Sequence, residues 1–249
     1  MQCDLNGRIA LVTGGARGIG ARIAACMAEH GASVYVADIS ADAARMWAAT
    51  LRPDARGVAM DVTDRKQVDA TIAEIVRDKG GVDILVNNAG IVSFGAFNVA
   101  SNDEWDRLIA VNLTGVFNCV QAVAPAMMER RRGAIVNLAS VAAAKGGGSF
   151  GNVWYGASKA AVVAMTKGLA RELGPYSVRV NAIAPSAIET EMLKDVLTPE
   201  VRSSMLARFP LGRLATTDDV ANLAVYLASD AASFITGETI AVDGGFLKT

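Results

Sequence analysis

The segment IALVTGGARGIGARIAACMAEHG, residues 9–31, decides the fold of this chain. An apolar strand pattern at Ile9–Val12 leads into a glycine-rich turn, and an amphipathic helix pattern then starts at Gly18 and stops at Gly31. Backbone N–H groups of the turn and the positive end of the helix face one space, which suits an anionic pyrophosphate. Glycines also occur in plain turns, but here strand, turn, helix and next strand follow in the order of a mononucleotide-binding unit. The candidate cofactor contacts in this turn are Gly14, Arg17, Gly18, Ile19 and Gly20.

The same alternation of short apolar runs and longer helical patterns continues to the end of the chain. The runs are apolar on both faces, as strands covered by helices on both sides are, and helical crossovers join them. They are Ile9–Val12, Val34–Ala37, Val58–Met60, Ile84–Val86, Ala134–Leu138, Val178–Ile183 and Thr239–Val242. The sequence therefore predicts an α/β fold, a Rossmann-type doubly wound parallel sheet of about seven strands, in a single domain over residues 1–249.

Composition and charge argue against several classes of partner. A formal net charge of -1 offers no basic surface for nucleic acid or an anionic membrane. Cys3, Cys26 and Cys119 lack the close spacing of a metal site or a disulfide framework, so we expect reduced thiols and no metal. The N-terminus lacks a leader pattern, and no apolar run is long enough to span a bilayer. We expect a cytoplasmic protein.

The acidic residue at the end of the second strand bears on cofactor choice. A carboxylate at Asp38 can accept hydrogen bonds from an adenosine ribose and would repel a 2′-phosphate. Asp38 could instead cap the helix that begins near Ser40. Arg17 is the opposing feature, because a guanidinium there could pair with a phosphate, although it could equally serve the pyrophosphate or solvent. The balance favours NAD over NADP.

The sequence YGASK, residues 155–159, carries the candidate acid–base pair. A helix pattern runs from Tyr155 to Leu173, and its four-residue step puts the phenol and the Lys159 ammonium on one face. A free phenol has a pKa of about 10, so acid–base work near neutral pH needs a shift of about three units. A neighbouring ammonium and a cationic nicotinamide act in that direction. The alternative is an ordinary helix with a packed tyrosine and an exposed lysine.

Three motifs together resemble the short-chain dehydrogenase/reductase family over nearly the whole chain. They are TGGARGIG at residues 13–20, NNAG at residues 87–90 and the Tyr155/Lys159 pair, and they stand in family order. The resemblance implies that Ser140 holds the substrate oxygen and that Asn112 holds a water in a proton relay. Taken alone, Ser140 could be a strand-end turn residue and Asn112 a polar residue satisfied inside a helix.

The resemblance also implies further cofactor contacts. Asp61 and Val62 would meet the adenine, and residues after the fourth and sixth strands would line the crevice and touch the nicotinamide amide. These last are Asn88, Ala89, Gly90, Pro185, Ile188 and Thr190. Tyr155 would take or give the substrate proton, and Lys159 would hold the nicotinamide ribose and lower the tyrosine pKa.

Two departures from the family pattern affect the substrate side. Ser140 and Tyr155 are more widely separated than usual, with a glycine run at residues 146–148 between them, and Ser186 stands where a glycine is usual. We expect the first to reshape the substrate loop and the second to stiffen the entry to a lid. The lid is predicted at about residues 186–210, because a long segment without clear structure in a compact domain is usually functional.

The expected pocket is mainly apolar, which favours a compact neutral secondary alcohol or its ketone. Its predicted lining comprises Ser140, Phe94, Phe150, Asn152, Tyr155 and Met192. An acidic substrate would need a cationic clamp, and only Lys145 and Lys194 are candidates, both in positions typical of solvated loop lysines. A polyol or sugar is the alternative, since Ser93, Asn152 and Ser186 could meet extra hydroxyls.

Two other functions are possible for this fold, and the family resemblance also predicts an oligomeric state. A non-catalytic NAD-binding sensor would have the same fold, but it would be expected to lack the tyrosine, lysine or serine. A dehydratase or epimerase would normally add a substrate domain. Family members associate through long central helices and a C-terminal segment, so a homotetramer is expected. The apolar residues there are Val116, Phe117, Val120 and Phe246.

Overall fold

A computed structural model of the chain describes residues 3–148, 151–188 and 198–248. Its centre is one seven-stranded sheet in the order β3-β2-β1-β4-β5-β6-β7, in which every neighbouring pair is parallel. The strands are β1 Ile9–Thr13, β2 Ser33–Asp38, β3 Arg56–Ala59, β4 Ile84–Asn87, β5 Gly133–Leu138, β6 Val178–Pro185 and β7 Thr239–Val242. The predicted fold class and all seven predicted strands are confirmed.

Helices cover both faces of the sheet, and several begin where the sequence supplies a cap. Ser101 accepts from the backbone N–H of Glu104, and Thr216 forms a capping box with Asp219. The helices are α1 Gly18–Glu29, α2 Ala41–Ala48, α3 Arg65–Lys79, α4 Asn102–Ile109, α5 Gly115–Glu129, α6 Ala142–Lys145, α7 Val153–Leu173, α8 Pro199–Leu206 and α9 Thr217–Ala228. Helix α8 lies inside the predicted lid, of which residues 189–197 fall outside the described part.

The core has two main layers, one on each side of the sheet. Helices α1 and α9 pack with alternate strand residues on one side, and α3, α5 and α7 do so on the other. A third, smaller cluster joins the segment after β5 to α8 and the C-terminal segment, and it contains Val141, Ala187, Met205, Phe209, Leu214 and Phe246.

The longest helical stretch, Asn102–Glu129, joins α4 to α5 through a π-helical turn at Ala110–Thr114. By length and hydropathy it is the one described helix that could cross a membrane, but half of its most apolar window is buried against the fold. Burial in the core accounts for that hydropathy, as it does for core helices of soluble proteins. The expectation that no apolar stretch is long enough to span a bilayer is therefore wrong for the length of this helix.

Three of the four apolar residues cited for assembly pack inside the chain. Val116, Val120 and Phe246 are buried, because α5 faces the sheet and the C-terminal segment packs on α8. Only Phe117 is exposed and available to a second copy. The homotetramer stays a prediction, carried now by Phe117 and the exposed Trp105 on the same helical stretch.

The topology brings the predicted site residues to one edge. Strands β1 and β4 are neighbours although they are not consecutive, so the connections leave the sheet in opposite directions there. In doubly wound sheets the crevice at this switch point, beyond the carboxyl ends of the strands, is where ligands bind. The glycine turn follows β1, the NNAG motif covers the end of β4, Ser140 follows β5, and Pro185 ends β6.

Candidate active site

Two glycines of the turn after β1 allow close packing and a third leaves open space. A Cβ added to Gly14 would lie 2.9 Å from the Ala89 Cα, and one added to Gly20 would lie 2.2 Å from the Gly14 carbonyl oxygen. Gly18 has φ +56°, and a Cβ added there would have nothing within 4 Å. The open side of the turn is therefore in front of the N-terminus of α1.

The first turn of α1 offers anion-binding groups without a competing acid. It contains no acidic residue, and its cap residue, Arg17, makes no side-chain capping hydrogen bond. Arg17 is exposed and has no ion pair among the described residues. Unpaired N–H groups at Gly18, Ile19 and Gly20, together with the helix dipole, suit a pyrophosphate, as predicted.

Asn88 holds the turn in shape rather than reaching outward. Its Nδ2 donates to the carbonyl oxygens of Thr13 and Gly14 at 3.0 and 2.9 Å. The backbone N–H groups of Asn88 and Ala89 both donate to the Thr13 hydroxyl at 3.1 Å. These bonds tie the end of β4 to the end of β1, so Asn88 and Ala89 line the crevice by supporting its walls.

Asp38 lies beside the glycine turn, where the sequence placed it. Its carboxylate accepts from the backbone N–H of Ala16 at 3.4 Å and of Ser40 at 3.1 Å, and the residue is 8% exposed. Ser40, not Asp38, caps α2, because its hydroxyl accepts from Ala43 N–H. Each carboxylate oxygen thus retains an unused lone pair for a ribose hydroxyl.

Tyr155 and Ser140 meet across the edge of the sheet. The Ser140 hydroxyl lies near the Tyr155 phenol and acts to lower the pKa of the tyrosine. Burial acts in the opposite direction and is the larger effect, so the pKa of Tyr155 lies above 10 in the protein without cofactor. Ser140 also accepts from the Ala142 N–H at 3.1 Å, which fixes its hydroxyl in place.

Lys159 is a buried ammonium with unused donors. It is 5% exposed, and its Nζ donates to the Leu138 carbonyl oxygen at 2.8 Å. Burial lowers its pKa from 10.5 to about 8. One of its three N–H donors is used within the described residues, and a buried donor left without a partner is costly. A ribose with two hydroxyl acceptors fits these donors, so the residues present fit a nicotinamide nucleotide.

Asn112 lies in the π-helical turn and is completely buried. Its Oδ1 accepts from Ile91 N–H at 2.9 Å, and its Nδ2 donates to the Ile91 carbonyl oxygen and to the Ser158 hydroxyl. Both donors are used, so the side chain can meet a relay water only through Oδ1. A Cβ added to Gly90 would lie 3.3 Å from Asn112 Oδ1 and 3.4 Å from Lys159 Nζ, which places Gly90 beside both groups.

The remaining predicted cofactor contacts are structurally supported to different degrees. Asp61 accepts from the backbone and hydroxyl of Thr63, and Val62 is buried against α5 at Gly115. Pro185 ends β6, and its carbonyl oxygen accepts from Val141 N–H. Ile188 is buried and bridges to Ala215. Thr190 lies outside the described residues.

Asn152 caps α7 through its side chain, and its place in the substrate pocket stays a prediction. Its Oδ1 accepts from Tyr155 N–H at 3.1 Å, and its Nδ2 donates to the Ser93 hydroxyl at 2.8 Å. Ser93 also accepts from Trp154 Nε1 and bonds to Glu104. This buried network commits the polar groups of Ser93 and Asn152 to the protein itself.

Only some of the apolar residues predicted to line the substrate pocket lie in the part of the chain that the structure describes. Phe94 is 41% exposed in the segment after β4, and Trp154 is buried with its ring 6.2 Å from that of Phe97. Phe150 and Met192 lie outside the described residues. Phe209 stacks on Phe246 at 5.2 Å between ring centres.

Sequence reasoning missed Arg208. The structure places its guanidinium 4.5 Å from the centre of the Phe246 ring, with the Lys145 ammonium 4.7 Å from the same point. These residues come from the segment just after α8, from α6 and from the C-terminal segment, which no local pattern links. A basic residue on a predicted lid was the only signal in the sequence.

The arrangement can hold a substrate oxygen and exchange its proton. The Ser140 hydroxyl lies near the Tyr155 phenol, and Lys159 lies one helical turn from Tyr155. Among the described residues, no three histidine, cysteine or acidic side chains cluster as metal ligands would. Proton transfer at the phenol is the chemistry these groups support.

Similarity to known proteins extends over nearly the whole chain. Residues 14–247 match the sequence family described as Enoyl-(Acyl carrier protein) reductase. The chain is 41% identical over 249 residues to an uncharacterized short-chain type dehydrogenase/reductase of Sinorhizobium fredii, with 98% of each covered. It is 41% identical over 242 residues to the 3-oxoacyl-(acyl-carrier-protein) reductase of Vibrio cholerae, covering 97% of this chain and 98% of that protein.

Solved structures show the same similarity in three dimensions. A gluconate 5-dehydrogenase from Burkholderia cenocepacia, in complex with NADP and tartrate, superposes with a TM-score of 0.94 at 36% sequence identity. The match covers 100% of this chain and 98% of that one.

Burial of Lys159 predicts a stability cost that depends on pH. We expect Lys159→Met to raise the free energy of unfolding at pH 7 by up to about 3 kcal/mol, since each pKa unit is worth about 1.4 kcal/mol. The gain shrinks as pH rises from about 8 to 10.5, because the folded wild-type lysine then loses its proton before the unfolded one. Urea unfolding at several pH values measures this.

The control for this experiment is Lys167→Met, which removes an exposed lysine from the same helix. It should change stability little at any pH. A stability difference between wild type and Lys159→Met that stays constant from pH 7 to 10 would contradict the assigned burial cost.

Proposed function

The chain belongs to the short-chain dehydrogenase/reductase family of nicotinamide-dependent oxidoreductases, and on this premise we propose that it interconverts a small secondary alcohol and its ketone with NAD. The observation that carries the proposal is the approach of the Ser140 hydroxyl to the Tyr155 phenol, one helical turn from the buried Lys159 ammonium. In this proposal Ser140 binds the substrate oxygen, Tyr155 transfers the proton, and Lys159 supplies a positive charge.

The side chains of the protein have separate tasks in this reaction. Bound NAD supplies the hydride acceptor. Ser140 and Tyr155 fix the substrate oxygen by hydrogen bonds, and Tyr155 takes the hydroxyl proton during oxidation or donates it during ketone reduction. Lys159 holds the nicotinamide ribose through its free N–H donors and stabilises the phenolate by its charge. Asn112 connects the site to water through its Oδ1.

Tyr155 is protonated in the protein without cofactor, because burial holds its pKa above 10. That form is ready to donate a proton in ketone reduction. For alcohol oxidation the phenolate must form, and positive charge near the oxygen has to offset the burial cost. Lys159 is the positively charged residue of this chain closest along the helix to Tyr155, so both directions depend on it.

The preference for NAD rests on Asp38. Its carboxylate lies against the glycine turn with one hydrogen bond on each oxygen, where a 2′-phosphate would meet negative charge. The similar gluconate 5-dehydrogenase structure contains NADP, and the exposed Arg17 is the group of this chain that could meet a 2′-phosphate. Asp38 is the more buried of the two, which supports NAD.

The substrate is uncharged at its reacting carbon, where apolar side chains and Ser140 form the described surroundings. The neutral substrate expected from the sequence rested on Lys145 and Lys194 as the only candidate cations, and the structure adds Arg208 near Lys145. A polyol or sugar is the second candidate, favoured by the name of the similar gluconate 5-dehydrogenase. Against it, Ser93 and Asn152 are committed to each other.

A non-catalytic NAD-binding sensor is the alternative from another class, and it needs no acid–base group. Ser140 and Tyr155 would then serve no purpose, whereas Lys159 would still hold the ribose of the bound NAD. Their joint presence supports an enzyme, and a homotetramer in the cytoplasm remains our expectation for its assembly and location.

Tyr155→Phe tests the proposed reaction. We expect kcat to fall by at least about a hundredfold, since the proton carrier is removed, while the Kd for NAD stays within a few-fold because the ring remains. Steady-state absorbance of NADH and calorimetric NAD binding measure the two quantities. Tyr176→Phe, which alters an exposed tyrosine just past the same helix, is the matched control. A Tyr155→Phe variant that keeps more than about a tenth of wild-type kcat refutes the assigned role.

Cofactor preference tests the role of Asp38. We expect kcat/KM to be at least tenfold higher with NAD than with NADP, a difference of ~1.4 kcal/mol. Asp38→Ala should reduce that ratio, whereas Asp42→Ala, which removes an exposed acid in the first turn of α2, should not. Equal use of both cofactors by the wild type, or an unchanged ratio in Asp38→Ala, would show that another residue selects the cofactor.

A further inference from the structure

We propose that Lys145 and Arg208 form a subsite for a carboxylate group of the substrate, in a cavity whose lining begins with Val141, the residue after Ser140. The proposal rests on the proposed function for the position of the reacting carbon. It concerns the end of the substrate away from the reacting carbon. Neither the family motifs nor the glycine turn determines what binds that end.

The cavity lies between the segment after β5 and the end of helix α8. Its volume is about 80 Å³, room for a small polar group, since a water takes about 30 Å³. Among the described residues, the lining is small or apolar apart from two cations. It consists of Val141, Ala142, Lys145, Gly147, Gly148, Arg208 and Phe246. No acidic residue is among these lining residues.

Both cations are held over one buried ring and still have free donors. Lys145 Nζ and Arg208 Cζ lie 4.7 and 4.5 Å from the centre of Phe246, which is 4% exposed. Cation–π contact positions the two groups but accepts none of their N–H bonds. Among the described residues, neither cation forms an ion pair with a carboxylate.

The charge pattern of the cavity is complementary to an anion. Two positive groups on one small cavity repel each other unless negative charge lies between them. A planar carboxylate can accept from the guanidinium fork and from the ammonium together. A neutral amide of the same shape can accept through one oxygen only and carries no charge, so the site should distinguish the two.

The glycine run supplies the space. All three of its glycines have positive φ, and Gly147 packs so closely that an added Cβ would lie 2.6 Å from the Asn152 carbonyl oxygen. Within the described part of the chain, nothing lies within 4 Å of a Cβ added to Gly146 or Gly148. The wider spacing between Ser140 and Tyr155 therefore forms an open wall of the cavity, which accounts for a departure that the family motifs leave unexplained.

The cavity is continuous along the chain with the reacting groups. Val141 follows Ser140 directly, and Gly148 pairs with Gly151, where an added Cβ would lie 2.3 Å from the Tyr155 ring. One small molecule can therefore place its reacting carbon at Ser140 and Tyr155 and its carboxylate at Lys145 and Arg208. The substrate class is a short oxo acid or hydroxy acid.

The test compares acids with their amides, and the pairs differ in the number of carbon atoms between the ketone and the carboxyl or amide group. Three oxo acids, 2-oxobutanoate, 4-oxopentanoate and 5-oxohexanoate, are each compared with their primary amides by calorimetric binding to the NADH-loaded enzyme. The proteins are wild type, Lys145→Met, Arg208→Met and the double variant. Lys167→Met, which removes an exposed cation outside the cavity, is the control. NADH oxidation with each ligand is recorded separately.

We expect wild type to bind at least one acid tenfold or more tightly than its amide. Each single substitution should lower that ratio by at least threefold, the double variant should abolish it, and Lys167→Met should keep it. No preference for any acid over its amide, or a preference that survives in the double variant, overturns the subsite. Failure of the proposed function has a different signature, because binding would persist while no ligand in the panel, acid or amide, oxidises NADH.

Discussion

The buried ammonium of Lys159 is the constraint on which the site depends. Its charge is held in a low-dielectric position by one carbonyl oxygen, that of Leu138, and burial lowers its pKa to about 8. Such an arrangement is unfavourable for folding, since a buried charge needs a partner. In the proposed reaction this cost serves function, because the same ammonium lies beside Gly90 at the cofactor crevice and would stabilise the phenolate of Tyr155.

The rest of the fold serves to position this charge. Helix α7 carries Tyr155 and Lys159 on one face, and the Asn152 cap connects its start to Ser93 in the segment after β4. Asn137, in β5, donates to Thr166 in the middle of the same helix. The catalytic helix is thus fixed at its start and at its centre by buried hydrogen bonds, so a small movement of the phenol would break a bond that nothing else replaces.

Much of this could be predicted from sequence because its causes are local. The five inner strands were recognisable because both of their faces are buried, although polar strand ends such as Thr13 and Asn87 fell outside the apolar runs. The edge strands β3 and β7 are only partly buried. The shared face of Tyr155 and Lys159 follows from helix geometry alone. The meeting of Ser140 with Tyr155 was implied only by family resemblance, and the cap role of Asn152 and the approach of Arg208 to Lys145 depend on tertiary packing that no sequence period records.

The central claim is that Lys159 makes Tyr155 an effective acid–base group, and the pKa of Tyr155 in the cofactor complex tests it most directly. Protein labelled with ¹³C at the ring Cζ of its four tyrosines can be titrated by NMR, with the Tyr155 signal assigned from Tyr155→Phe. The account predicts a pKa above 10 without cofactor, a fall of at least about two units when NAD binds, and a much smaller fall in Lys159→Met. An equal fall in both proteins would contradict the account.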